Sequence, residues 1–224
     1  MLPFKRFLES LSEEKRHLIK DLGLDGLVAL KVQQHRNQKI EELMRRFDLE
    51  TRTLVVHGRD LLICEDDVRR ILGLPAGTKD ISNLKNNLGE LRERYNLDKK
   101  KRKEVIALMR NMNDNQEWQA NFILLAIHCV LRPTSSLYYC LSSLGFLDEV
   151  SGLRDMNWCK YVLDGLIEGA VDFHKQLKSV EAGEKNSLRL KGCTLLLEVL
   201  MHLFFNIMLP MKFLSVLNDR YTTL

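Results

Sequence analysis

The sequence is short of the features that most quickly name a function. No two of its five cysteines stand at CxxC spacing, and no HExxH run is present, so neither a zinc site nor a dithiol redox motif is written into it. Aromatic residues make up only 7%, which leaves little for a stacking platform that would read bases. Charge of one sign is scarce, because a net +4 on 224 residues is too weak by itself to imply nucleic acid. There is no internal repeat and no low-complexity segment. The N-terminal stretch MLPFKRFLESLSEEKRH is interrupted by Glu9, Glu13 and Glu14, which excludes a secretory signal and argues against an organellar leader.

What is present is a globular composition, 45% hydrophobic and 29% charged, enough to bury a core without disulfides or metal. The odd cysteine count, with three of the five in apolar runs, fits a reducing compartment and thiols used as small hydrophobes. Positive charge is concentrated. Residues 85–110 hold nine basic side chains against four acidic ones, and the rest of the chain is close to neutral.

The periodicity predicts a single, mainly α domain over 1–224 with one short β-hairpin near 53–63. A first helix is expected after Ser10 or Ser12, Ser10 having capping-box spacing to Glu13. Gly23 should break it, with a short helix over Leu24–Val32 next. Asn37 is placed to cap a third helix carrying Ile40, Leu43, Met44 and Phe47. TLVVH and DLLI read as the hairpin. CEDDVRRILGLP reads as a helix with acids in its first turn, closed by Gly73 and Pro75. Val55, Leu62, Val68, Ile71 and Leu72 are expected in the core. Further helices follow over 82–111, through EWQANFILLAIHCVL up to Arg132-Pro133, over 157–177, and over 189–209. Residues 178–188 read as a polar loop.

Several clusters invite a chemical reading. His57 with Cys64 has the residue types of a nucleophile and its base, but a hairpin feeding a capped helix accounts for them. His128 and His202 stand in apolar helices with no partner at ligand spacing, and read as core or interface histidines. Asp164, Glu168 and Asp172 recur every fourth residue and mark a solvent face. No catalytic residue, cofactor site or metal site is therefore expected. The run Lys99, Lys100, Lys101, Arg102, Lys103 is different, because five adjacent cations repel one another and rarely serve packing. It suits a nuclear import receptor or a phosphate backbone. Residues 193–217 approach membrane-span apolarity, yet Glu198, His202 and Asn206 share a stripe and Pro210 cuts the run. Its Met201, Phe204, Phe205, Met208 and Met211 read instead as a protein-binding surface.

Four blocks, taken in order, resemble the plant mobile domain, also called the aminotransferase-like plant mobile domain. They are IKDLGLDGLVAL (19–30), RFDLETRTLVVHGRDLLICEDDVRRILGLPAGTKDI (46–81), FILLAIHCVLRPTSS (122–136), and MNWCKYVLDGLIEGAVDF with LKGCTLLLEVLMHLFF (156–173 and 190–205). The resemblance implies a helical, transposon-derived plant module, stand-alone or truncated, with nuclear roles in silencing, genome stability or gene expression. It implies no aminotransferase activity, since no lysine, ring-nitrogen partner and phosphate cup can be assigned as a pyridoxal set. The function expected is a non-enzymatic interaction module of the nucleus, working through a protein partner, with nucleic acid and a second copy of the chain as further partners. The alternative is an effector outside the nucleus, cytoplasmic or organellar, docking through its apolar C-terminal helix on an organellar protein or a membrane. A cysteine hydrolase built on Cys64 and His57 is the enzymatic alternative.

Overall fold

The computed structural model describes residues 2–30, 37–56, 58–81, 101–134, 150–184 and 187–203. Within them the fold is mainly helical with one small antiparallel sheet. The elements in order are α1 (Leu2–Glu9), α2 (Glu13–Asp21), α3 (Gly26–Ala29), α4 (Asn37–Arg45), β1 (Phe47–Asp48), β2 (Thr53–Val56), β3 (Arg59–Leu62) and α5 (Glu65–Leu72). Then come α6 (Arg102–Met109), α7 (Asn115–Ala126), a π-helical turn (Ile127–Leu131), a 3-10 stretch (Val150–Asp155) and α8 (Trp158–Glu181). Residues 194–203 form a last helical stretch, α9.

The centre is α7 with the π-turn that continues it; residues from Ala120 to Leu131 are all buried. Asp114 starts it by accepting from the Glu117 amide at 2.8 Å. Trp118 and Phe122 stack on this helix with ring centroids 5.5 Å apart. Phe7 and Phe4 of α1 close over them at 6.4 and 6.3 Å. That packing is why residues 2–9 form a helix of their own, which the sequence reading did not provide for. Ser10 consequently ends α1, its hydroxyl donating to the Phe7 carbonyl, and Ser12 is the residue that caps α2. Arg16 then reaches back to the Leu8 and Leu11 carbonyls at 3.1 and 3.3 Å, tying α2 to the end of α1 and the residues after it.

The hairpin lies where expected, and β1 adds a third strand, in the order β1-β2-β3. The register pairs Val56 with Arg59. Its buried face is the reverse of the one expected. Leu54 and Val56 are 0% and 2% exposed, whereas Val55 is 40% and Leu62 59% exposed. Strand side chains alternate, and the pairing Thr53 with Leu62 puts Leu62 on the Val55 side, away from the core. The rest of the expected core holds: Val68 and Leu72 are fully buried and Ile71 packs against the cluster. So do Ile40, Leu43, Met44 and Phe47, all buried.

Two corrections concern the C-terminal part. α8 runs on to Glu181, so the polar loop is shorter than 178–188. The next helix starts at 194 and not 189, because residues 189–193 are irregular and their backbone passes over Gly165 and Gly169 of α8. Gly192 has φ +77, a conformation side chains other than glycine rarely adopt. α3 is confined to four residues, and the helix expected over 82–111 is described only from Arg102 onward.

Candidate functional site

The acid-rich start of α5 is a structural joint. The Asp67 carboxylate accepts from the Cys64 amide at 3.0 Å and from the Cys64 thiol at 3.2 Å, while its other oxygen takes Arg70 at 2.8 Å. This is a reciprocal helix cap with cysteine in the serine position. Glu65 accepts from Asn157 at 2.9 Å, and Asn157 in turn caps α8 through the Lys160 amide. Asp66 pairs with Arg69 on the surface. A nucleophilic thiol needs electropositive surroundings, and Cys64 faces a carboxylate. His57 lies outside the described residues.

The stripe Asp164, Glu168 and Asp172 lies on the solvent side of α8 as expected, with side chains 40%, 67% and 41% exposed, but it is not idle. Each carboxylate holds a cation. Lys160 bridges Asp164 and Asp80 at 3.0 and 3.1 Å. Hydrogen bonds to Asp164 and then Asp80 hold the Lys160 ammonium above its usual pKa. Glu168 pairs with Arg132, whose guanidinium lies 4.9 Å from the Tyr161 ring centroid. Asp172 pairs with Lys191 at 2.5 Å. The stripe thus clips the segment after α5, through Asp80, the end of the central helix and the segment 189–193 onto α8. Gly165 and Gly169, one turn apart, make the groove in which Lys191 and Gly192 lie. Among the described residues no group of three or more His, Cys, Asp or Glu is placed to hold a metal ion.

The remaining arrangement centres on the basic run. Lys99 and Lys100 lie outside the described residues. Lys101 caps α6, its amide donating to Glu104 at 2.9 Å, and both Lys101 and Lys103 are exposed. Arg102 turns inward and donates to the His128 carbonyl at 3.4 Å. That carbonyl is accessible because of the π-turn. In a regular helix the Arg132 amide would take it, but here Arg132 donates to Ile127, five residues back, at 2.7 Å. A concavity of about 460 Å³ opens at this point. Phe4, Ile106 and Cys129 supply its apolar part, and Lys101, Arg102 and Lys103 supply positive charge. No carboxylate is among its lining residues.

Electrostatics at the site follow from burial. His128 is 1% exposed. Desolvation, helped by the nearby Arg102 charge, lowers its pKa to about 4, so the ring is neutral at pH 7. Burial raises the Cys129 thiol, against the opposing pull of Arg102. It also pushes Cys159 up to about 11 and Cys193 up to about 12. The partner surface expected on the last helix is described only at Met201, which packs against the core. His202 and Leu203 beside it are exposed. Phe204, Phe205, Met208 and Met211 lie outside the described residues. No helix among the described residues is long and apolar enough to cross a membrane.

One family model, described as Domain of unknown function (DUF8566), matches residues 2–198. The chain belongs to the DUF8566 family. No curated protein and no solved structure matches it. The DUF8566 match runs from α1 into α9, and so takes in the joint at α5, the clipped groove on α8 and every residue of the basic concavity. The sequence reading found the cations of that concavity but missed its apolar wall. Phe4 and Cys129 are far from residue 101 in sequence, and only the packing of α1 on α7 brings them together.

Proposed function

We propose that this DUF8566 chain is a non-enzymatic interaction module of plant-mobile-domain type, acting in the nucleus through a protein partner, with DNA as a secondary contact. The observation that carries the reading is the presentation of Lys101 and Lys103 at the exposed head of α6, beside an apolar concavity. Exposed cations next to buried apolar side chains suit recognition of an acidic surface or a phosphate backbone. The four ordered sequence blocks support the same reading. So does the use of the acids and the thiol around α5 in capping rather than in an open cleft.

The test is affinity capture from plant nuclear extract with the whole chain and with a Lys101→Glu/Lys103→Glu variant. A specific protein recovered by the first and lost by the second supports the module. Recovery of the same set by both, or of nothing, overturns it. A gel shift with duplex DNA decides the DNA contact separately.

A second reading is favoured by Leu203, 47% exposed on the last helix. It is an effector that docks through the apolar C-terminal region outside the nucleus. Removal of residues 204–224 would abolish its cellular effect while leaving the circular dichroism spectrum helical. An unchanged effect would refute it.

A further inference from the structure

The side of the hairpin that faces away from the core carries apolar side chains of its own. Leu54 and Val56 turn one face of β2 inward. The pairs Asp48 with Thr53, Thr53 with Leu62 and Val55 with Asp60 gather Asp48, Thr53, Val55, Asp60 and Leu62 on the other. Val55 and Leu62 are diagonal neighbours there, and the carboxylates of Asp48 and Asp60, both exposed, flank them. Hydrogen bonds from Thr51 and then Glu50 hold the Asp48 carboxyl below its usual pKa, so it is ionised at pH 7. Arg46, just before β1, is paired with Glu42 at 2.6 Å, and Arg59, opposite Val56, alternates to the other face. The outer face is therefore an apolar pair with a negative rim.

Helix α6 presents the complement. Leu108 shares a stripe with Lys101 and Glu104, and the next stripe carries Lys103, Ala107 and Arg110. All six are exposed, three cations against one acid around an apolar centre. Four large hydrophobic side chains stand exposed among the described residues, and three of them, Val55, Leu62 and Leu108, fall in these two patches. Neither patch covers the other within one chain, since the apolar centre of each stays exposed. Like against like is disfavoured for both: two sheet faces would oppose acid to acid, and two α6 faces cation to cation. Sheet face against α6 face matches apolar to apolar and negative to positive.

We propose that the outer sheet face of one copy of the chain docks on the α6 face of another, with Val55 and Leu62 against Leu108 and with Asp48 and Asp60 towards Lys101 and Lys103. This rests on the reading of Lys101 and Lys103 as a recognition surface for an acidic partner, and names a second copy as that partner. The contact joins two different patches, so it is head-to-tail and leaves one patch of each kind free at the ends. Patches of this size belong with weak, transient contacts, and association is to be read at high concentration.

The test is sedimentation velocity on the purified whole chain from about 10 to about 500 μM, a range suited to weak contacts, with two variants. One, Asp60→Lys/Leu62→Ser, disables the sheet face; the other, Lys101→Glu/Lys103→Glu, disables the α6 face. All four positions are exposed, and circular dichroism checks that helicity is kept. The wild-type chain should gain mass with concentration, and the association should weaken at least threefold when salt rises from about 0.05 to about 0.5 M. Each variant alone should stay monomeric. An equimolar mixture of the two should form a dimer and stop there, because only one intact patch of each kind remains. Monomer at every concentration overturns the proposal. So does association of either variant alone as strong as wild type, a mixture that stays monomeric, or self-association that salt leaves unchanged. The readout uses no extract, so failure here leaves the capture of a nuclear protein by Lys101 and Lys103 to be decided by its own experiment.

Discussion

Gly169 of α8 and the Lys191 peptide are packed so closely that a methyl group on Gly169 would stand 2.7 Å from the Lys191 carbonyl carbon. One turn earlier, Gly165 faces Gly192 and also the aliphatic part of Arg132. The backbone of 189–193 therefore lies in a groove cut by two missing side chains. Ion pairs from Asp172 to Lys191 and from Glu168 to Arg132 flank it.

Gly169→Ala separates packing from propensity. In an open helix the change would stabilise by about 1 kcal/mol. Here the added methyl forces the 191–192 backbone away, and overpacking should dominate, with a net loss of about 1–3 kcal/mol. Lys191→Ala, which removes only a partly exposed ion pair, should cost less than about 1 kcal/mol. Urea unfolding of both variants checks the order; a stabilised Gly169→Ala would refute the groove.

The hairpin predicts a contrast of parity. Leu54→Ala should cost about 2–5 kcal/mol, as for other fully buried leucines. Leu62→Thr, the same residue type on the open face, should stay within about 0.5 kcal/mol of wild type. Thermal or urea unfolding reads both. Similar losses at the two positions would mean that the register is shifted by one.

How much of this was legible in the sequence follows from how local each signal is. The helix α5 could be read outright, because its acids, its Gly73 stop and Pro75 lie within a dozen residues; Gly73 indeed has φ +63. The central helix could be read from the unbroken apolar run that ends at Arg132. The face of the hairpin could not, since TLVV and DLLI are apolar at both parities and only the cross-strand register decides. Helix α1 was missed because its Phe4, Phe7 and Leu8 make sense only against Trp118 and Phe122. The helix start at 194 lies five residues later than expected because the demand for a positive φ at Gly192 comes from its close packing on α8, not from its neighbours in sequence. The basic run was visible as charge, but its apolar companions come from two other elements.

Stability should fall between pH 7 and pH 5 through His128. Its folded-state pKa of about 4 lies below the ordinary 6.5. The unfolded chain therefore takes up a proton there while the folded chain does not. The stability present above pH 6.5 is lost as pH falls towards 4, and about 2 kcal/mol of it should go between pH 7 and pH 5. Urea midpoints at the two pH values, compared with His128→Gln, isolate the contribution. An equal slope in the variant would show that His128 is not the group responsible.

Thiol reactivity should follow burial. Cys159 and Cys193, with pKa values raised to about 11 and about 12, should resist iodoacetamide at pH 7.5 in the folded chain and react on unfolding. Cys64 is only half-buried and should be labelled before them. Peptide mapping by mass spectrometry gives the order. Cys64→Ala should lose the thiol contact to Asp67 but create no loss of any hydrolytic activity. An activity that vanished with this substitution would revive the cysteine-hydrolase reading.

The most direct test of the nuclear interaction module is the location of the tagged chain in plant cells, intact and with Lys99, Lys100, Lys101, Arg102 and Lys103 all changed to Gln. The account predicts nuclear signal for the intact chain and its loss in the substituted one. Organellar or membrane signal that the substitution leaves unchanged would contradict it.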